Sequence, residues 1–297
     1  MTLLESVPNV SEGRNPAVIA AIGEAFATGA RVLDVHSDVG HHRSVFTLTA
    51  DDAALGDALV TGIARAAELI DLRAHDGVHP RVGAADVVPV VPFAPGDMPL
   101  AVATARAVGR RVGGELGIPV FLYAESGAGR RPAFFRRGGP AELQRRLDAG
   151  EVRPDFGPAR LHPTAGAVLL GARPLLVAFN LELAVGGLED ARAVAASVRG
   201  SSGGMEGVQA LGLQLPGSGK IQVSLNIIDV EKASLAEVVA RVRMEAARVG
   251  AVVGAGELVG LLPECQVAEP AALALTSLPD DRVLERRLAA GPEPPGE

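Results

Sequence analysis

The chain has 297 residues, 48% of them hydrophobic, and a formal net charge of −7. That length builds one large or two medium domains around a substantial core, and the acidic balance excludes a phosphate-neutralising nucleic-acid surface. Aromatics make up 3% of the chain with no Trp, so stacking platforms for bare nucleic acid are scarce and a small-molecule enzyme is expected.

Met1 leads directly into TLLESVPNV with no basic leader, and no segment reaches the roughly 20 apolar residues of a membrane span. The chain reads as soluble and cytoplasmic, with no membrane partner. Leu3 to Val7 predicts a short strand, and Asn15 followed by Pro16 predicts a capped helix with Ile19, Ile22 and Phe26 on its apolar stripe. Arg31 to Val35 and Ser44 to Thr49 predict strands joined by the turn-rich HSDVGHHR, a hairpin with a functional tip. A long amphipathic helix follows from Ala53 to Ile70, with the AAELIDL run ending near Leu72. A strand at Val87 to Val91, a helix at Met98 to Leu116 and a strand at Val120 to Tyr123 continue the alternation.

From Glu125 to Arg160 the text turns rich in Gly, Pro and Arg, which predicts a mobile or ligand-facing stretch with one helix at Pro140 to Ala149. Ala167 to Leu170 and Leu175 to Asn180 then bracket Gly171 to Pro174 as a hinge between lobes spanning residues 1–172 and 173–297. Beyond it, helix Leu188 to Val198, strands Val208 to Leu215 and Ile221 to Ile228 around a PGSGK turn, helix Ser234 to Val249 and a strand near Val252 spell β-α-β-β-α-β, the order of a ferredoxin-like lobe. Ser234 with Glu237 is a capping box. The single cysteine, Cys265, cannot close a disulfide within the chain and is expected to pack as a small apolar side chain. GPEPPGE at the end reads as a solvated tail.

The richest chemistry lies in HDGVHPRVGAADVVP, from His75 to Pro89, where a loop meets a sheet. His75 and His79 are four apart, but Gly77 and Pro80 argue against the helix that would make them a metal pair, and no third ligand is near; no metal is expected. Two readings of these histidines stay open: one is a general base, titrating near neutrality, or both are structural. Arg43 and Arg81 each follow a histidine-containing turn, where a guanidinium either grips a carboxylate in bidentate fashion or is solvated. Arg130, Arg131, Arg136 and Arg137 form either an anionic-ligand site or a solubilising cluster. Phosphate-loop spacings and a G-x-S-x-G nucleophile elbow are absent.

VPNVSEGRN (7–15), HHRSV (41–45), LIDLRAHDGVHPRVGAADVVPVVP (69–92), FLYAE, RPDFGP, GAVLLGARPLLVAFNLEL, VQALGLQL, QVSLNIIDVE and ELVGLLPE together resemble glutamate formimidoyltransferases, in the family's order and over most of the chain. The chain is similar to the stand-alone transferase, because no cyclodeaminase region follows. The resemblance implies an α+β fold of two α/β sandwich lobes with facing mixed sheets and outer helices, folate in a charged tunnel between them, and a homodimer. It implies that the histidine before Pro-Arg, His79, is the catalytic proton acceptor. The family's folate-binding stretch carries over onto Gly157, Pro158 and Gly166. Three places depart from the expected pattern: His36 stands where the animal enzymes have an acidic residue, His42 stands where an Asn precedes the arginine, and ARLHPTA (159–165) differs from the animal enzyme.

Formimidoyl transfer moves a one-carbon amidine from the amine of glutamate to a ring nitrogen of tetrahydrofolate, the co-substrate. The attacking nitrogen loses a proton and the leaving amine gains one, so a single histidine can serve both. The amidine is already cationic, needs no oxyanion hole, and calls for a carboxylate; Glu12 and Asp38 are the candidates. Arg43 and Arg81 would then bind the substrate carboxylates, and Asn9 its amide or amine. Two alternatives remain: formyl transfer between formylglutamate and tetrahydrofolate, which demands an oxyanion donor, and a folate-binding protein without turnover.

Overall fold

The computed structural model describes residues 2–77, 79–215 and 218–291. Val78, two residues of the expected PGSGK turn and all but the first of the GPEPPGE tail lie outside them. The chain divides between Pro174 and Leu175 into two units, each with its own sheet and core.

The first unit runs β1 (Leu3–Ser6), β2 (Asn9–Val10), α1 (Pro16–Ala27), β3 (Arg31–Asp38), β4 (Arg43–Asp51), α2 (Asp52–Leu69), β5 (Ala85–Pro92), α3 (Met98–Glu115), β6 (Val120–Ala124), α4 (Pro132–Arg136), α5 (Gly139–Asp148) and β7 (Val168–Ala172). All seven strands share one mixed sheet. Strands β1 and β2 both pair antiparallel with β4 and with β5, so they run in line, broken at Val7–Pro8. Beyond β5 the sheet turns parallel through β7 to β6; these strands read as near-continuous apolar runs because both their faces are covered. The β3–β4 hairpin closes at the pair Asp38 and Arg43.

Local chemistry starts these elements. The Asn15 side chain accepts from the N–H groups of Ala17 and Val18 at 3.1 and 3.4 Å, with Pro16 in the first turn of α1; such a cap stabilises a helix by about 1 kcal/mol. Ile22 and Phe26 are buried and Ile19 partly so, and the Phe26 ring meets Phe46 of β4 at 5.3 Å. Helices α1, α2 and α3 join this main core. A second, smaller core packs Phe121, Tyr123 and Leu169 against Phe135, Leu143 and Leu147 of α4 and α5. The Gly-, Pro- and Arg-rich stretch thus holds two helices rather than the expected one: Phe135 finds a buried place on the sheet that local composition does not announce. Helix α2 also ends earlier than Leu72, at Leu69, followed by a 3-10 turn at Leu72–Ala74.

The second unit runs β8 (Val177–Val185), α6 (Leu188–Val198), β9 (Val208–Gln214), β10 (Ile221–Ile227), α7 (Leu235–Arg248), β11 (Val252–Val259) and α8 (Leu284–Ala289). Its sheet has the order β11-β8-β10-β9 and is antiparallel throughout, the ferredoxin-like arrangement. Ser234 and Glu237 close the expected capping box on α7. Cys265 is exposed, contrary to expectation. In its 3-10 turn the inward position goes to Gln266, which accepts from Leu235 N–H at 2.7 Å and donates to the Val230 carbonyl at 2.9 Å.

Candidate active site

Three segments meet beside β5: SEGRN after β2, the loop between β3 and β4, and the histidine loop that precedes β5. Arg81 joins two of them. Its Nε donates to the His79 carbonyl at 3.0 Å, Nη1 to the His42 carbonyl at 3.1 Å and Nη2 to the His41 carbonyl at 3.0 Å. Its side chain is buried, so the guanidinium lies inside the wall of the site. Burial lowers its pKa to about 10, and it remains charged at neutral pH. At the rim, Arg14 Nη1 donates to Asp76 at 2.6 Å, tying SEGRN to the histidine loop.

Arg43, also buried, donates from Nε to Asn9 Oδ1 at 3.0 Å and from Nη1 to Asp86 Oδ2 at 2.9 Å. Asn9 in turn donates to the Val7 carbonyl at 2.8 Å. Asp86 is fully buried at 0% exposure. Its Oδ1 accepts from Val82 N–H at 2.8 Å and its Oδ2 pairs with both Arg43 and Arg136 Nη2. Burial alone would raise this carboxyl, but the Arg136 and Arg43 guanidinia hold it well below the usual carboxylate range.

Four histidines sort into two pairs. His42 and His75 stack with ring centroids 4.1 Å apart; His41 and His79 meet edge-on at 6.1 Å. Glu12 attends the first pair, with Oε1 3.5 Å from His42 Nδ1 while accepting from Arg14 and Asn15 N–H at 2.7 and 3.0 Å. Asp38 attends the second, accepting from His41 N–H at 2.5 Å. His42 has φ +49°, the left-handed region that Asn tolerates best among side-chain-bearing residues; an Asn expected before the arginine fits this backbone. His75 Nδ1 accepts from Gly77 N–H at 3.2 Å, and burial, with Arg81 beside it, lowers its pKa to about 4.

His79 differs from the other three. Its Nδ1 lies 2.8 Å from the Pro80 carbonyl oxygen, which can only accept, so the proton sits on Nδ1 and Nε2 carries the lone pair. Desolvation first, then the Arg43 and Arg136 charges, push its pKa well below 6.5. A neutral imidazole whose Nε2 has no hydrogen-bond partner among the described residues can accept a proton as a general base does.

Asn9, Glu12, Asp38, Arg43, His79 and Arg81 therefore lie in one neighbourhood. Gly166 joins its edge: it pairs as a β-bridge with Gly83, and a Cβ on either would overlap the facing carbonyl of Val82 or Ala167. Gly157 sits instead against Ile118 and Gly113, at the start of β6, with Pro158 beside it. Sequence reasoning did not single out Asp86 or His41, and treated Arg136 only as one of a cluster. The signal for Asp86 was an aspartate at the start of an otherwise apolar strand. Among the described residues, no three His, Cys, Asp or Glu side chains converge as a metal site, and no helix is long and apolar enough to cross a membrane.

Residues 3–173 match the N-terminal subdomain of the formiminotransferase domain, and residues 178–276 match the formiminotransferase domain. The chain is 39% identical over 299 residues to the glutamate formimidoyltransferase of Thermoplasma acidophilum, covering 97% of this chain and 98% of that one. It is 38% identical to the glutamate formimidoyltransferase of Streptococcus pyogenes serotype M1, covering 88% and 89%. With the formimidoyltransferase-cyclodeaminase of Rattus norvegicus it shares 36% identity, over 88% of this chain and 50% of the relative. Matches along both units, in order and at this identity, show that the chain belongs to the formiminotransferase family.

Proposed function

We propose that this protein is a folate-dependent transferase that moves the formimidoyl group from N-formimidoyl-L-glutamate to tetrahydrofolate, giving 5-formimidoyltetrahydrofolate and L-glutamate, a step of histidine degradation. The observation that carries the reading is His79, held neutral with Nδ1 bonded to Pro80 and Nε2 without a hydrogen-bond partner among the described residues. The names of the T. acidophilum and S. pyogenes relatives support the same chemistry.

In this reading the folate N5 lone pair attacks the amidinium carbon and forms a C–N bond. His79 Nε2 takes the N5 proton. The tetrahedral adduct collapses as the protonated imidazole returns that proton to the glutamate nitrogen, whose C–N bond breaks. The electron pair leaves on the amine and the histidine ends as it began. General acid–base help of this kind contributes about 10² to 10⁴ in rate, and holding both reactants in line supplies much of the rest.

Asp38 is the carboxylate that orients the cationic amidinium, because its partner His41 meets the His79 ring, whereas Glu12 engages the other histidine pair. Arg43 and Asn9 form one wall of the donor pocket, and Arg81 fixes the two loops that frame it. Gly157, Pro158 and Gly166 border the folate side. The protein acts in the cytoplasm, as a homodimer. Purified protein given tetrahydrofolate with formimidoylglutamate, or with formylglutamate, tests the reaction: release of glutamate with the formimidoyl donor, lost in His79→Ala, is expected. Preference for the formyl donor overturns the substrate, and folate binding without turnover overturns the activity.

A further inference from the structure

Three guanidinia approach the His79 and Asp86 neighbourhood, and they differ in what their N–H groups do. Arg81 directs Nε, Nη1 and Nη2 to backbone carbonyls. Arg43 is held by Asn9 and Asp86 and is 7% exposed. Among the described residues Arg136 gives only Nη2, to Asp86. Its Nε is buried and has no hydrogen-bond partner among the described residues, a cost the fold bears in placing the guanidinium here, and Nη1, which makes no hydrogen bond among them either, is the donor left for a ligand. Arg136 side-chain exposure is 14%, enough for a small anion to reach it.

Its position is fixed from behind. Arg146, 2% exposed, donates from Nη1 to the Phe134 carbonyl at 2.8 Å and lies 4.5 Å over the Phe134 ring. Phe135 is buried in the smaller core. The two residues before Arg136 are thus pinned, and its guanidinium is presented with little freedom left to lose on binding. Asp86 balances one of the two arginines it touches, so this trio carries one surplus positive charge, suited to a carboxylate.

Resting on the formimidoyl-transfer reading, we infer that Arg136 binds the α-carboxylate of the glutamyl donor. That carboxylate sits on the carbon bearing the reacting nitrogen, so an anchor near the base meets it first. The glutamyl carboxylates of folate lie beyond the pterin and the aminobenzoyl group.

The test compares wild type with Arg136→Gln and Arg136→Lys. The expected result for Arg136→Gln is a KM for formimidoylglutamate raised about 10- to 100-fold, with kcat within about threefold and the KM for tetrahydrofolate unchanged. Arg136→Lys keeps the charge facing Asp86, so its folding is protected, and it should fall between the two. Calorimetric titration with L-glutamate needs no turnover and should show the same loss of affinity in Arg136→Gln. An unchanged donor KM, or a rise confined to tetrahydrofolate, overturns the assignment. If wild type turns nothing over, the functional reading fails by itself. The titration then decides the anchor: glutamate binding lost in the variant supports it, and equal binding or none to wild type overturns it.

Discussion

The imidazole rings of His41 and His79 meet edge-on, their centroids 6.1 Å apart and their planes at 67°. His41 takes its place from Asp38, so a chain of contacts runs from a carboxylate through one histidine to the edge of another. His75, four residues from His79, belongs to a different pair with His42. Proximity in sequence does not predict which histidines act together.

That separation makes the two histidines of the loop unequal. Replacing His79 by Ala should lower kcat by about 10² to 10⁴ while folate binding persists. His75→Ala should cost less, acting through the loop backbone that His75 orients. Steady-state kinetics on the two purified variants decides the matter, and reversed severity would mean that the base has been misassigned.

Arg81 bridges two loops through three carbonyls. Arg81→Ala leaves those acceptors without their charged donor in a buried setting, and a loss of about 2 to 4 kcal/mol is expected. Urea unfolding monitored by circular dichroism measures it. Arg81→Lys should recover little, since one ammonium cannot span three carbonyls in a plane. Full stability in the alanine variant would refute the bridging role.

Asp86→Asn keeps the shape but removes the negative charge between Arg43 and Arg136. Two buried or nearly buried guanidinia then face each other uncompensated, which costs about 3 to 5 kcal/mol. A thermal melt should fall accordingly. A melt equal to wild type would mean that the Asp86 charge does not hold this site together.

Acid should weaken the fold through the same residues. His75 titrates near 6.5 when unfolded and at about 4 when folded, and His79 is depressed too. As pH drops below 6.5 the unfolded chain takes up protons that the folded chain refuses, so their contribution is complete above 6.5 and is lost across the window from 6.5 to about 4. Asp86, depressed from 3.8, contributes above that value and loses its contribution below it. Stability that stays flat from about pH 7 to about pH 4 would contradict this, and His75→Gln should flatten it in part. Because His79 stays neutral, the acidic limb of kcat/KM belongs below 6.5.

Most of the elements are legible in the order of residues alone, because periodicity, caps and turns are local. Asn15 before Pro16, the Ser234–Glu237 box and the apolar stripe of Ile22 and Phe26 each carry their own instruction. The same order of residues locates the chemistry at His75 to Pro89, since no core calls for that composition. The remainder comes from contacts between segments distant in the chain. A string of residues does not say whether an arginine points outward or into a wall, and Arg81 turns inward because carbonyls contributed by the loop near residue 41 converge on it. Asp86 and Arg136 are fifty residues apart, and Arg136 reaches Asp86 only because Phe135 buries itself on the sheet. Which histidine pairs with which, and which guanidinium keeps an unpaired N–H, follow from strand register and loop closure, where long-range packing and the need to satisfy buried polar groups outweigh local preference.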